Sequence, residues 1–342
     1  MTEQLRGLDL DRVTPWIVDH VPGVKGPITA RLIAGGRSNL TFQLTDAGGR
    51  DLVLRRPPTG NVLATAHDMG REFRLISALH PTPVPVPAPL GLCTDESVND
   101  ADFYLMDFVE GVVVDGPIAA EKLDEPARRE AGLDLARVAA ALHAVDVDEV
   151  GLGDLAKRED YLGRQLRRWS KQYKSVESRS IPAVDEAFER LSAQAPPQRY
   201  TGIVHGDYRL GNVLVGAADG RVKAVLDWEL CTLGDVLADV GWMLAYWATS
   251  TDDAAGLVAP YPSGFVSRAE MLDRYAADTG RDLSDMPYYV AFAQWRMACI
   301  MEGVYARFKA GVMGDQSDVD VEALGSLTVE RAEAAVATLR DR

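Results

Sequence analysis

The sequence predicts an α+β chain in two lobes, a small antiparallel-sheet lobe succeeded by a larger, mainly helical one, and three observations predict it. Short runs rich in β-branched and aromatic residues, separated by Gly and Pro, crowd the first 110 residues. Apolar residues recur at helical spacing over most of the remaining chain. The change of character falls at one short segment, "EGVVVDGP", from Glu110 to Pro117. The chain divides accordingly into residues 1–109 with a leading helix, a connector at 110–118, and 119–342.

Each element has its reason. "ITARLIAGG" (28–36) and "NLTFQLTD" (39–46) read as strands joined through Gly35, Gly36, Arg37 and Ser38, and "RDLVLRRPP" (50–58) as a third strand stopped by Pro57 and Pro58. A helix is expected from about Val62 to Leu79. The Pro-rich "HPTPVPVPAPLG" (80–91) excludes helix and leads in extended form to "LGLCTD" and the strand "ADFYLMDFV" (101–109). Helices are expected at about 120–146, 159–174, 181–193, 235–247, 268–278, 286–310 and 319–340, with short strands near 202–205, 213–215 and 222–227.

Composition narrows the function. Hydrophobic residues make up 47% of 342, ample for folded cores. A net charge of −15 argues against nucleic acid or an anionic membrane as partner, since both reward clustered Lys and Arg. The most apolar late stretch, 288–308, is interrupted by Arg296, Glu302 and Arg307, and the first twenty residues show no signal-like apolar run, so a cytoplasmic protein is expected. Cys93, Cys231 and Cys299 are widely spaced and show neither a disulfide framework nor zinc-ligand spacing.

One segment does not fit the pattern of buried strands. "IVHGDYRLGNVLV" (203–215) places His205, Asp207, Arg209 and Asn212 between two hydrophobic runs, and the next short strand ends in "LDWE" with Asp227. Phosphoryl transfer from ATP requires such a set: one carboxylate to orient or deprotonate an attacking hydroxyl, and an Asn and a second Asp to hold magnesium. Read alone, the segment is equally a polar turn whose side chains satisfy backbone groups.

"HGDYRLGN" together with "LDWE" resembles the catalytic and metal-binding pair of the aminoglycoside phosphotransferase family, small-molecule kinases with a two-lobed protein-kinase-like fold, to which choline and fructosamine kinases are related. The resemblance runs over roughly 25–310. It implies ATP and Mg²⁺ as cofactors, Asp207 as catalytic base, Asn212 and Asp227 as magnesium ligands, and His205 as a brace of the loop. Arg209 matches the position where many kinases carry a Lys that neutralises the transferring phosphoryl group. The resemblance also suggests that Asp235 braces the loop, although Asp235 and Asp239 in "LGDVLADVGWML" are expected in any case near the start of a helix.

The small lobe is expected to grip the nucleotide. In "AGGRSNLTF", Gly35 and Gly36 allow backbone N–H groups to approach phosphate, with Ser38 and Asn39 as further donors; on its own this is also an ordinary Gly-Gly hairpin turn. Strand parity separates Arg55, on the face of Val53, from Arg56, on the face of Leu52 and Leu54. By resemblance Arg55 stands in for the usual Lys and pairs with Glu72 in "GREFRLISAL". "FYLMDFVEG" resembles the segment that meets the adenine edge, with Met106 as gatekeeper and Asp107, Phe108 and Val109 at the base.

The acceptor is expected to be the hydroxyl of a small molecule. In "YLGRQLRRWSKQYK" (161–174), Leu162, Leu166, Trp169 and Tyr173 form one stripe, and Arg164, Arg167, Arg168, Lys171 and Lys174 the opposite face. That basic face, and the likeness of "LRRPP", "GDYRLGN" and "LDWE" to the branch associated with acyl-CoA dehydrogenases, favour a hydroxyacyl or acyl-CoA-like anion over an aminoglycoside or other amino alcohol. The rival of another class is a nucleotide-binding pseudokinase with a regulatory role, which the Arg in place of Lys favours. A protein-substrate kinase is disfavoured by the short stretch between Asp227 and Asp235.

Overall fold

The computed structural model describes residues 5–34, 39–59, 68–247, 261–312 and 320–340. It separates into two compact units, one of residues 1–111 with 150–152 and 223–229, the other of 112–149, 153–222 and 230–342.

The first unit is built on a five-stranded antiparallel sheet, β1 (Thr29–Ala34), β2 (Leu40–Thr45), β3 (Asp51–Arg56), β4 (Pro89–Cys93) and β5 (Phe103–Asp107), in the order β1-β2-β3-β5-β4. Register decides its faces. Phe42 pairs with Leu54 and Leu54 with Leu105, so these three share a face, and all are fully buried. They pack with Val13 and Ile17, one helical turn apart on α1 (Leu10–His20). Truncating Phe42 to Ala in such a core costs about 3–5 kcal/mol. Thr41, Arg55 and Tyr104 form the adjoining row on the opposite face, the side approached by α2 (Met69–Leu79) through Glu72.

Helix α2 starts later than expected from its pattern. Asp68, in extended backbone, caps it by accepting from the Arg71 N–H at 2.8 Å, so the helix begins at Met69; residues 62–67 lie outside the described residues. The Pro-rich segment uses its carbonyls instead of its missing donors: Pro85 accepts from Val225 N–H and Ala88 from Asp107 N–H. A four-residue helix, α3 (Glu96–Asn99), precedes β5.

The second unit holds α4 (Pro117–Ala120), α5 (Glu125–His143), α6 (Tyr161–Val176), α7 (Pro182–Gln194), α8 (Leu237–Ala245), α9 (Arg268–Thr279), α10 (Met286–Lys309) and α11 (Val321–Arg340). Strands β6 (Thr201–Val204) and β9 (Thr232–Asp235) pair antiparallel, β7 (Val213–Val215) comes after the loop that leaves β6, and β8 (Val222–Val225) belongs from residue 223 on to the first unit. The helix expected at 235–247 is therefore shorter. Asp235 ends a strand and α8 starts at Leu237, because "TLGD" satisfies its backbone against β6.

Helix α10 is buried on most sides, with Tyr288, Tyr289, Phe292, Trp295, Met297 and Cys299 in the core, which explains its near-continuous apolar sequence. No described helix is long and apolar enough to cross a membrane. All three cysteines are buried, and none is in a disulfide. Helix α6 buries Leu162, Leu166, Trp169 and Tyr173 as its stripe predicts. Its basic face is less available than the sequence suggests, since Arg167 pairs with Asp160 at 2.7 Å, Lys174 with Asp185 at 2.9 Å, and Arg164 donates to the Lys157 carbonyl.

Candidate active site

Two clusters of polar side chains stand out, one in each unit. In the first, Arg55 on β3 is the hub: its Nε donates to Glu72 Oε2 at 2.9 Å and an Nη to Asp227 Oδ1 at 2.6 Å. Tyr104 Oη donates to Glu72 Oε2 at 3.1 Å and Asn39 Nδ2 to Glu72 Oε1 at 2.9 Å, so this carboxylate, 2% exposed, accepts three donors. Burial pushes the Glu72 pKa up, and Arg55 opposes that. Burial alone would lower that of Arg55, but Tyr104, Glu72 and Asp227 carry it above its usual value. The cation is thus fixed and charged, with one partner buried and the other, Asp227, about one-third exposed.

Asp227 adopts a left-handed backbone, φ 64°, which costs a non-glycine residue about 1–2 kcal/mol. Its ion pair with Arg55 and the Trp228 indole bond to Val225 O hold the turn in place. Arg56, one position on, serves the opposite face and donates to the carbonyls of Gly7 and Asn99.

The remaining nucleotide candidates are distributed unevenly. Gly35, Gly36 and Ser38 lie outside the described residues. Asn39 is buried with its amide nitrogen spent on Glu72, so it braces Arg55's partner. Met106 is buried beside Val53 on β3. Asp107 gives its N–H to Ala88 and its carboxylate to Arg50 at 2.8 Å, while Phe108 and Val109 leave the strand in irregular, half-buried backbone.

The second cluster centres on Asp207. Its Oδ1 accepts from Trp242 Nε1 at 2.6 Å and its Oδ2 from Asn212 Nδ2 at 2.6 Å; Arg209 Nε lies 3.4 Å from Oδ1. Asn212 also donates to the Asp207 carbonyl at 2.8 Å, which closes the loop through a short 3₁₀ turn at Leu210–Asn212. With its nitrogen so engaged, the Asn212 side chain keeps its carboxamide oxygen as its acceptor. The fully buried His205 accepts the Asp207 N–H on Nδ1 at 3.3 Å, the bracing role expected of it. Arg209 lies over the Tyr246 ring, 5.2 Å from its centroid. Burial pushes the Tyr246 phenol up to about 12, Asp207 adding to the rise and Arg209, Arg296 and Arg331 opposing it.

The brace of the loop is Asp239, not Asp235. Asp239 Oδ2 accepts the His205 N–H at 2.6 Å and Oδ1 the Gly206 N–H at 2.9 Å, with His143 Nε2 3.5 Å away. Asp235 accepts from Tyr289 Oη and from Leu237 N–H, and so caps its own chain. Gly206 is required here: its φ is +84°, and a Cβ would stand 2.8 Å from the Leu230 carbonyl oxygen.

Trp242, Arg296, Asp239 and Tyr104 were not among the expected site residues. Trp242 sits in an apolar helical run and looks like core, and Tyr104 belongs to an alternating strand. Arg296 carried a signal, a guanidinium inside an apolar helix that must find partners when buried. It donates to the Gly206 carbonyl at 2.7 Å and lies 4.1 Å from the Trp242 centroid and 5.0 Å from that of Trp169. Burial pulls its pKa down, with Tyr161, Asp207, Asp239 and Tyr246 opposing.

Comparison with known proteins gives the frame for both clusters. Over 322 residues the chain is 36% identical to acyl-CoA dehydrogenase family member 10 of Mus musculus, a match that covers 91% of this chain and 29% of that protein. The chain thus spans about a third of the length of that curated relative. Among solved structures, a putative aminoglycoside phosphotransferase from Ralstonia eutropha superposes with a TM-score of 0.81 at 35% identity, covering 97% of this chain and 98% of the other. The GDP complex of wild-type aminoglycoside 2'-phosphotransferase-IIIa shares the fold at a TM-score of 0.62 and 16% identity, covering 95% of this chain and 99% of the other. The family model described as phosphotransferase enzyme family, APH, matches residues 29–286, and the chain, with its sheet unit, its helical unit and the loop around Asp207, belongs to that family.

Proposed function

We propose that the chain transfers the γ-phosphoryl group of Mg·ATP to a hydroxyl of a small molecule. One observation carries the reading: Asp207 is held through both oxygens by neutral donors, Trp242 and Asn212, while its side chain stays 24% exposed. An ionised carboxylate has about four acceptor sites, so lone pairs remain for an acceptor hydroxyl. In the step, the hydroxyl oxygen attacks the γ-phosphorus, the bond to the bridging oxygen of ADP breaks, and the hydroxyl proton passes to Asp207. Arg209, 3.4 Å from Asp207, places a cation beside the developing charge.

We assign the nucleotide's phosphates to Arg55, fixed by Glu72, and the adenine edge to the Met106–Val109 segment. Mg²⁺ is assigned to Asn212, through its carboxamide oxygen, and to Asp227. Among the described residues no cluster of three or more His, Cys, Asp or Glu is arranged for a metal. Held by these residues, magnesium would neutralise phosphate charge.

For the acceptor we propose a hydroxyacyl or acyl-CoA-like anion. The support is Arg209, whose side chain is 27% exposed beside Asp207, together with relatives named as acyl-CoA dehydrogenase family members. A polycationic aminoglycoside would meet the Arg209 cation unfavourably. The test incubates the chain with Mg·ATP and a panel of hydroxybutyryl-CoA isomers, free hydroxybutyrates, kanamycin and choline, reading ADP release and the acceptor's mass increase by one phosphoryl group. Transfer to a hydroxybutyryl-CoA supports the assignment; transfer to kanamycin or choline alone overturns the acceptor class, and ATP binding without transfer to any acceptor favours a pseudokinase.

A further inference from the structure

Arg296 and Trp242 raise a question that the phosphotransferase reading leaves open. Arg296 is 6% exposed in the middle of α10, it donates to the Gly206 carbonyl, and its Nε is buried without a hydrogen-bond partner. A buried guanidinium normally finds a carboxylate. Here it is held instead against the rings of Trp242, at 4.1 Å, and Trp169, at 5.0 Å. Trp242 is itself 3% exposed, packs with Ala293 and Met297 of the same helix as Arg296, and spends its indole N–H on Asp207.

We propose that Trp169, Arg296 and Trp242 form a positioning stack for Asp207: the stacked cation sets the Trp242 indole and the Gly206 carbonyl, and through them the direction of the Asp207 carboxylate. The inference rests on Asp207 being the group that receives the acceptor hydroxyl. A neutral indole suits the task better than a direct Arg–carboxylate pair. A bidentate guanidinium would occupy both carboxylate oxygens and neutralise the base, whereas one indole N–H takes one lone pair of Oδ1 and leaves the rest. The Arg296 charge is kept one ring away, and the nearer cation, Arg209, stands 3.4 Å from Oδ1 with its Nε alone. Arg296 thus acts on the loop from two sides, by its bond to Gly206 O and by the ring that carries the donor.

The test compares wild type with Trp242→Phe, which keeps an aromatic ring for the stack but removes the donor. With Mg·ATP and hydroxybutyryl-CoA as acceptor, kcat is expected to fall by about 10–100-fold, the scale of one charge-assisted hydrogen bond, with KM for ATP little changed. Arg296→Gln is expected to lower kcat likewise, Arg296→Lys to recover part of it, and the double variant Trp242→Phe/Arg296→Gln to lose less than the product of the two. A second readout needs no turnover: the indole N–H resonance of Trp242, assigned by its loss in Trp242→Phe, is expected to move upfield in Asp207→Asn. Unchanged kcat in Trp242→Phe beside an active wild type, or an indole resonance indifferent to Asp207→Asn, overturns the stack alone. A wild type that transfers no phosphoryl group to any acceptor of the panel removes the phosphotransferase reading and this inference with it, whereas transfer to another acceptor of the panel alone moves the same kcat comparison to that acceptor.

Discussion

Replacing Asp239 by Asn tests the loop's support most sharply, because the change removes one charge and leaves the shape. Each Asp239 oxygen takes one backbone N–H, from His205 at 2.6 Å and from Gly206 at 2.9 Å, in a site where the residue is 1% exposed. Asn has one oxygen and one NH₂ group, so it keeps one of these bonds and turns a donor on the other N–H. Losing a charge-assisted bond costs about 1.5–3 kcal/mol and stranding a buried donor about 1–3 kcal/mol; the two overlap, and about 3 kcal/mol is the expected total. For a unit of this size that lowers Tm by about 6–12 °C. Because His205 and Gly206 directly precede Asp207, kcat for phosphoryl transfer should fall by about 10–100-fold as the carboxylate loses its aim. Asp235→Asn is the control. Its partners are a Tyr289 hydroxyl, which can donate or accept, and a long 3.3 Å bond from Leu237 N–H, and burial raises the Asp235 pKa, so removing its charge relieves a desolvation cost. Its loss should stay near about 1 kcal/mol. Thermal unfolding and steady-state transfer on both variants decide the matter: Asp239→Asn as stable and active as wild type, or Asp235→Asn the more damaging to kcat, refutes the reasoning.

The loop and the helix that backs Asp239 supply two more tests. Gly206→Ala should lose about 1–2 kcal/mol for its φ of +84°, and more because the new Cβ meets the Leu230 carbonyl at 2.8 Å; urea denaturation showing no shift would contradict the close approach. His143 is fully buried between Tyr275 and Asp239, and burial lowers its pKa below the usual 6.5, Asp239 opposing. Since the folded value is the lower one, the unfolded chain takes up the proton first, and the stability from neutral His143 is present above pH 6.5 and lost as pH falls. The drop in urea midpoint from about pH 7 to about pH 5.5 should therefore be smaller in His143→Gln; an equal drop would exclude His143 as its source.

Much of the sheet unit was legible because strands obey parity. Strand alternation separated Arg55 from Arg56, the family resemblance chose Arg55 between them, and Arg55 is the one that meets Glu72 and Asp227. The loop 205–212 was legible as well, since its polar residues interrupt two buried runs and have no packing reason to be there. What stayed hidden depended on distant chain. The anions that pair with Arg167 and Lys174 of α6 are Asp160, just before that helix, and Asp185 on α7, so a helical wheel of 161–174 showed cations alone. Asp235 and Asp239 are four residues apart in a run that reads as one helix, and only the pairing of β9 with β6 reveals that the first ends a strand. The bond from Trp242 to Asp207 was invisible because a donor on a large apolar ring leaves no mark in a hydrophobic pattern.

The central claim is that Asp207 receives the acceptor hydroxyl, and Asp207→Ala tests it most directly when Mg·ATP affinity and kcat are measured on the same protein. The account predicts nucleotide affinity retained and kcat lower by about 10²–10⁴-fold, the usual worth of a positioned general base. Turnover at the wild-type rate in Asp207→Ala would contradict it.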